Sequence, residues 1–554
     1  MQATIAESNR PTFERWAFYV LVLLAVGLFV IQLGSLYQFP VYDSYLWWGD
    51  ESWLTLEFRS QITTGVFQHP LALGASIHNS SGLLLGNMWL TAVLYGGAAA
   101  IFTSLTDPVT IGRSVTAVLS VILLLTLYRS ARKLGISKLF ATAGVLLLLT
   151  SRSFMLTSHS ARYDILTALA ILCVLSVLER LVAREDLPNQ ILFFFGVSSL
   201  ALAIISIHVV LLSAALFAIA LWKLNASRQP KKLIAFSAGV LTSMVGFIFL
   251  QWITQGTLQL FGKTRGKGFL ANVAEVPLLR PFSRSVQAAN LAQRVHVFSD
   301  LAIFILVVAV CSLIVAILTR QKVAGKKQAS VSRSMLTPGV LAILLSWMFL
   351  ESSAPTSYLI YVLPVLVLLS MKVLDRDHGS SALVGRRNIV VALLLLVVCS
   401  GAFSYIGSHT GERLGSIVTT SNERAITNAI SAIRTDSHEQ APLVLAFNPA
   451  ISRLLNQQDV RVMTTQFIEY PATELSPHDL LKSLGVRYLL LYRSALKPYY
   501  MREVGPLDTL AQQFGKPIAT SAGIFTDIGR SYFEPRTPEP VTTFDSLIVY
   551  RLDF

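Results

Sequence analysis

The chain has 554 residues, of which 53% are hydrophobic and 14% charged, with a formal net charge of +14. A soluble globular chain carries about a quarter charged residues, so this shortfall excludes a water-soluble fold for most of the length. The excess of Lys and Arg does not indicate nucleic acid, because these residues are scattered between apolar runs, a pattern suited to cytoplasmic loops and anionic lipid headgroups. Cys173, Cys311 and Cys399 all fall inside apolar runs, without metal-ligand spacing, and read as small buried apolar side chains.

In chain order, the stretch from about Trp16 to Leu36 is too long for a signal-peptide core and lacks a small-residue cleavage site. It is predicted to be the first membrane span. A hydrocarbon core needs about 20 apolar residues of helix. On that measure further spans are expected near 109–128, 139–157, 165–183, 191–206, 209–222, 233–253, 301–319, 336–350, 356–373 and 389–406. The stretch 191–222 is too long for one ordinary span and is predicted to divide around His208. Basic residues gather at Arg129–Lys138, Lys223–Lys232, Arg320–Arg333 and Lys372–Arg387, which reads as four cytoplasmic loops. Eleven spans then alternate correctly, with a cytoplasmic N-terminus and an external C-terminus.

One apolar run, residues 83–102, would invert every later basic loop if it crossed. It is therefore expected to be a juxtamembrane or re-entrant helix, leaving 37–108 as one long external loop. Beyond Tyr405 the composition becomes that of a soluble chain. Leu443–Phe447, Val460–Thr464, Val486–Tyr492 and Ser546–Leu552 read as strands and Ser476–Leu484 as a helix, predicting a small extracytoplasmic α/β domain over 407–554.

Three places can carry chemistry. The first external loop opens FPVYDSYLWWGDESWLTLEFRSQI, in which Asp50 and Glu51 adjoin Trp47, Trp48 and Trp53. An interfacial aromatic belt explains the tryptophans, but two adjacent carboxylates in that setting carry a desolvation cost that suggests a catalytic use. Asp164 in SHSARYDILTALAILCVL stands one residue before an apolar run; it suits a helix N-terminus, and Arg162 beside it suits Asp164 or a phosphate. The loop from about Gln255 to Asp300 contains FGKTRGKGF, where Lys263, Arg265 and Lys267 among glycines read either as tolerated surface charge or as an anion site.

The residues GDE at Gly49–Glu51, ARYD at Ala161–Asp164 and YLIYVLPVL at Tyr358–Leu366 resemble, in order and arrangement, the GT-C glycosyltransferases. The likeness is to the branch of protein O-mannosyltransferases and lipid A aminoarabinose transferases. It covers roughly the first 410 residues, and the tail matches in general character. A non-crossing helix after the first-loop motif and an external α/β tail are both expected of that branch. Where members often have a Lys- or His-Pro-Pro segment, this chain has SIHNSSGLL, so His78 stands in the corresponding place without the prolines.

The resemblance implies a polytopic GT-C-like fold that moves a sugar from a polyprenyl-phosphate donor to a lipid, protein or cell-envelope glycan acceptor outside a bacterial plasma membrane. It implies Asp50, Glu51 and Asp164 as catalytic residues, which could share a divalent cation. It also implies Arg162, His78, Lys263, Arg265 and Lys267 as substrate-binding residues. Transport of lipid or polysaccharide, or ligation or polymerisation of lipid-linked glycans, are the alternatives. Against transport, the spans are almost free of charge and show no repeat, while acids gather at one surface.

Overall fold

The structure, a computed structural model, describes residues 12–35, 94–102, 108–158, 160–182, 186–205, 210–226, 229–255, 263–264, 267–268, 360–361, 363–375, 391–396, 398–400, 424–437, 442–446, 461–464, 477–483, 485–492, 509–527 and 541–554. The predicted spans at 301–319 and 336–350 lie outside these.

Among the described residues, three long helices are apolar and long enough to cross a membrane: α1 (Thr12–Ser35), α2 (Pro108–Lys133) and α8 (Pro230–Gln255). At 1.5 Å per residue, helices of this length reach about 36–39 Å, past a hydrocarbon core of about 30 Å. Shorter helices between and after them are α3 (Lys138–Leu149), α4 (Arg152–Ser158), α5 (Asp164–Val182), α6 (Asn189–Ile205), α7 (Val210–Ala226) and α9 (Leu363–Leu374). Another apolar helix covers Val391–Ser400.

Pro108 and Pro230 open α2 and α8, where a missing N–H leaves no ladder bond unmade. Along α1 the exposed residues Trp16, Tyr19, Leu23, Val26 and Val30 recur at steps of three and four, a strip that suits lipid and not water. Ile234, Leu241, Val245 and Phe249 form a similar strip on α8.

The division expected of 191–222 is present, as α6 and α7. The span expected over 139–157 is instead two helices, and the break has a local cause. Thr150 Oγ1 donates to the Leu146 carbonyl at 2.9 Å and Ser151 Oγ to the Leu148 carbonyl at 2.7 Å. Ser151 Oγ then accepts from the Phe154 backbone N–H at 3.2 Å, capping the start of α4. Helix α9 starts at Leu363 and residues 360–361 form a turn; the opening of the span expected from 356 lies outside the described residues. Pro364 falls in its first turn, the part of a helix that tolerates proline.

Packing is closest between α6 and α8. A Cβ on Gly196 would strike the Phe236 carbonyl, and one on Gly239 the Phe193 carbonyl, so each glycine admits the other helix's backbone. Phe236 also lies 5.4 Å from the Phe195 ring and 5.5 Å from Phe217, which joins α7 to the pair.

Polar contacts between helices gather at two ends of the bundle. At one end lie the predicted cytoplasmic loops. Gly135 takes the left-handed conformation (φ 75°), Arg132 Nη1 donates to the Ile136 carbonyl at 2.7 Å, and Lys372 Nζ from α9 donates to the Leu134 carbonyl at 2.6 Å. The Asp375 carboxylate accepts from the Ser137 backbone N–H, and Lys232 pairs with Asp186. Residues from three of the predicted basic loops thus make their contacts at this end.

The tail forms a five-stranded sheet ordered β4-β3-β5-β7-β6, from β3 (Leu443–Ala446), β4 (Arg461–Thr464), β5 (Val486–Tyr492), β6 (Gly515–Asp527) and β7 (Val541–Leu552). Here β1 and β2 are reserved for a hairpin at Lys263–Thr264 and Lys267–Gly268. Strands β3, β4 and β5 run parallel, and β7 runs antiparallel to β5 and β6. The predicted helix is α10 (Pro477–Ser483). A second helix, residues 424–436, packs Ala425, Ile426, Ala429, Ile430 and Ile433 onto Val444, Tyr488, Leu490, Leu547 and Val549.

Tyr488 and Arg551 are direct cross-strand partners, so both reach Asp436 at the end of that helix, at 2.9 and 3.0 Å. An acid at a helix C-terminus opposes the dipole, and Arg551 offsets this. Burial and the neighbouring Asp436 push the Tyr488 phenol above its ordinary value.

Candidate functional site

The other end of the bundle is built around the turn between α4 and α5. Asp164 is the first residue of α5, whose ladder starts with the Thr167 N–H donating to the Tyr163 carbonyl at 2.8 Å. The position favours a carboxylate through the helix dipole. The side chain, however, reaches sideways to other elements. Tyr361, in the turn before α9, donates its hydroxyl to Asp164 Oδ1 at 2.6 Å, across 197 residues of sequence. Arg162 Nε lies 3.2 Å from Oδ2. Asp164 is fully buried and Arg162 is 3% exposed, so this is an enclosed ion pair closed on its far side by a phenol.

The backbone of the turn is held as firmly as the carboxylate. Tyr95, in the helical segment 94–101, donates its hydroxyl to the Arg162 carbonyl at 2.7 Å. Thr116 of α2 lies 3.0 Å from the Tyr95 oxygen and 2.9 Å from the Ser160 carbonyl. Tyr163 packs against Tyr95 with Val115 and Leu119 around them, and the Arg162 guanidinium carbon lies 5.2 Å from the Tyr163 ring centre. Arg113, one turn from Thr116, is also buried, which adds a second cation on that face of α2.

Chemically, the arrangement encloses the Asp164 carboxyl beside a guanidinium without exposing it to water. An isolated carboxylate in such a place would be strongly disfavoured. Here a guanidinium meets its charge and a phenol meets one oxygen. Among the described residues, no group of three or more His, Cys, Asp or Glu side chains comes together in a way that could hold a metal ion.

Of the residues expected from sequence, Asp164 and Arg162 are brought together. Lys263 and Lys267 fall in the β1–β2 hairpin, with Lys263 opposite Gly268 and Thr264 opposite Lys267. Asp50, Glu51, His78 and Arg265 lie outside the described residues. Tyr95, Thr116 and Arg113 are not singled out by sequence, and Tyr361 figures there only as part of a motif. A tyrosine inside an apolar run and a threonine inside a helix carry no signal of their own, because their partners are 67 and 44 residues away.

Helices of spanning length, lipid-facing strips and an enclosed charge pair at one end of the bundle define the class: a polytopic α-helical membrane protein. Within it, the chain is similar in fold to a solved structure of ArnT from Cupriavidus metallidurans bound to undecaprenyl phosphate. The two share 13% identity at a TM-score of 0.52, over 96% of this chain and 97% of that one. ArnT from the same organism in the apo state aligns at a TM-score of 0.44 and 14% identity, over 95% of this chain and 97% of that one. The resemblance to lipid A aminoarabinose transferases read from sequence thus reappears in the fold. No protein-family model and no curated protein matches the chain.

Proposed function

We propose that the protein is a membrane glycosyltransferase that moves a sugar from a polyprenyl-phosphate donor to a lipid, protein or envelope-glycan acceptor on the extracytoplasmic side of a bacterial plasma membrane. The observation that carries this reading is the enclosed Arg162–Asp164–Tyr361 arrangement at one end of an ArnT-like bundle. The solved ArnT structure holds undecaprenyl phosphate, and a donor of that class is proposed here by analogy of fold. The proposal includes eleven spans, a cytoplasmic N-terminus and an extracytoplasmic α/β domain over 407–554. The gathering of predicted cytoplasmic residues at the end opposite Asp164 supports this sidedness.

In the proposed reaction an acceptor oxygen attacks the anomeric carbon as the bond from that carbon to the phosphate oxygen breaks. The acceptor proton passes to Asp50, and the electron pair leaves on the polyprenyl phosphate. A general base in this position contributes about 10²–10⁴-fold. Glu51 and Asp164 orient the acceptor and face the positive charge that develops on the sugar ring. His78, Lys263, Arg265 and Lys267 receive the departing phosphate, where fixed cations help the leaving group. Arg162 pairs with Asp164 and brings its positive charge toward the same phosphate. A divalent cation, were it used, would fit best at Asp50 and Glu51, since Arg162 and Tyr361 already engage both oxygens of Asp164.

The test is sugar transfer in proteoliposomes from polyprenyl-phosphate monosaccharides, with Asp50→Asn as the comparison. Wild-type turnover and loss of about 10²-fold or more in the variant, with insertion intact, are expected. Near-normal turnover in Asp50→Asn removes the base assignment. Use of oligosaccharide-lipid donors alone would favour a ligase instead.

A further inference from the structure

We propose that Tyr95 is a positioning residue: its hydroxyl latches the helical segment 94–101, within the predicted first external loop, onto the Arg162–Asp164 turn, and so sets where the Asp164 carboxylate stands for the reaction. This rests on the glycosyltransferase reading. A phenol with no exposed surface must spend its hydroxyl on a partner or bear the cost of desolvation. Tyr95 has one proton, and the 2.7 Å contact gives it to the Arg162 carbonyl. Its oxygen is then left to accept, and Thr116 Oγ1 at 3.0 Å is the neighbour that can donate. The same Thr116 hydroxyl stands 2.9 Å from the Ser160 carbonyl and 3.2 Å from the Gly112 carbonyl, so its single proton is shared among three acceptors.

Three parts of the chain distant in sequence therefore meet at one pair of hydroxyls. Their hold is on backbone: the carbonyls of Ser160 and Arg162 belong to the two residues on either side of Ala161, just ahead of the α5 ladder. With those carbonyls fixed on one side and Asp164 fixed by Tyr361 and Arg162 on the other, the turn has no slack. Loss of the latch frees the backbone of the turn while leaving the ion pair chemically intact. A misplacement of that kind appears in kcat and leaves donor affinity largely alone.

The experiment uses the full chain in nanodiscs and compares wild type with Tyr95→Phe, which keeps the ring packed on Tyr163, Val115 and Leu119. Two quantities are read: steady-state transfer from a polyprenyl-phosphate sugar, and amide exchange over residues 157–167. Expected are a kcat lower by about 10–100-fold, a donor KM within about twofold, and exchange faster at the turn but unchanged around Ser137 at the opposite end. Unchanged exchange at the turn overturns the latch, whatever the activity. Faster exchange with unchanged kcat overturns the positioning role. Wild type that exchanges as described but transfers no sugar overturns the glycosyltransferase reading, and the catalytic part of this inference with it. Should Tyr95→Phe misfold, Thr116→Val removes the other hydroxyl of the pair at constant shape, with the same expected split of kcat from KM.

Discussion

The two ends of the helical bundle both carry ion pairs, yet they treat charge in opposite ways. Lys232 and Asp186 meet where Asp186 is 92% exposed, and Lys372 spends its charge on a carbonyl at the bundle's edge. Arg162 and Asp164 meet with 3% and 0% of their side chains exposed. A pair in water is worth about 0–1 kcal/mol, whereas burying two charges costs several kcal/mol per ion before their attraction repays it. Packed apolar residues would stabilise the Asp164 end at least as well. The difference teaches that burial separates the two ends: charge at the Lys232 end fits the proposed sidedness, while enclosed charge at the Asp164 end fits the proposed chemistry.

The comparison breaks most visibly at Asp164. Asp164→Asn leaves a buried guanidinium without its counter-charge, and is expected to cost about 3–5 kcal/mol of stability together with most of the sugar transfer. Thermal unfolding in detergent and turnover in proteoliposomes measure the two losses. A variant as stable and active as wild type would erase the distinction between the ends. Tyr361→Phe is the next largest. It removes one hydrogen bond to a charged oxygen, worth about 1.5–3 kcal/mol, and is expected to lower kcat while leaving the Arg162 pair in place. Equal turnover in that variant would reduce Tyr361 to packing.

How much of this was legible in the sequence varies with the range of the interaction. Asp164 could be found because ARYD stands in order with GDE and YLIYVLPVL, although a carboxylate before an apolar run also suits a plain helix N-terminus. The α6–α7 division followed from length, and β3, β4, β5 and the end of β7 from short apolar runs between turn residues. The Thr150–Ser151 break did not, since apolar residues continue on both sides and the hydroxyl bonds that end α3 are visible only in three dimensions. Strand β6 was hidden by its own composition: GKPIATSAGIFTD carries Gly, Ala and Pro among its apolar positions, and gains its place by pairing with β7. The helix at 424–436 is different, because Ala425, Ile426, Ala429, Ile430 and Ile433 carry a plain helical period that could have been read. Tyr95 and Thr116 depend on partners that only folding brings near.

A smaller effect is expected at the basic hairpin. Replacing Lys263, Arg265 and Lys267 together by Gln should raise donor KM by about tenfold, the equivalent of one lost charge-assisted hydrogen bond, with kcat little changed. An unchanged KM would assign these residues to surface charge and narrow the phosphate-binding set to Arg162 and His78.

The smallest effect belongs to the other end of the bundle, and it completes the comparison. Asp186→Ala removes an acid that water already solvates, at 92% exposure, from a lysine that is 16% exposed. Unfolding temperature and kcat should both match wild type, since an exposed pair gains little and is screened by salt. The informative variable is ionic strength. If salt weakens wild type and Asp186→Ala alike, the pair contributes nothing specific, and the contrast with Asp164 stands on burial. Should Asp186→Ala instead unfold early at low salt and recover at high salt, the Lys232 loop would be clamped by electrostatics, and charge at that end would do more than mark a side of the membrane.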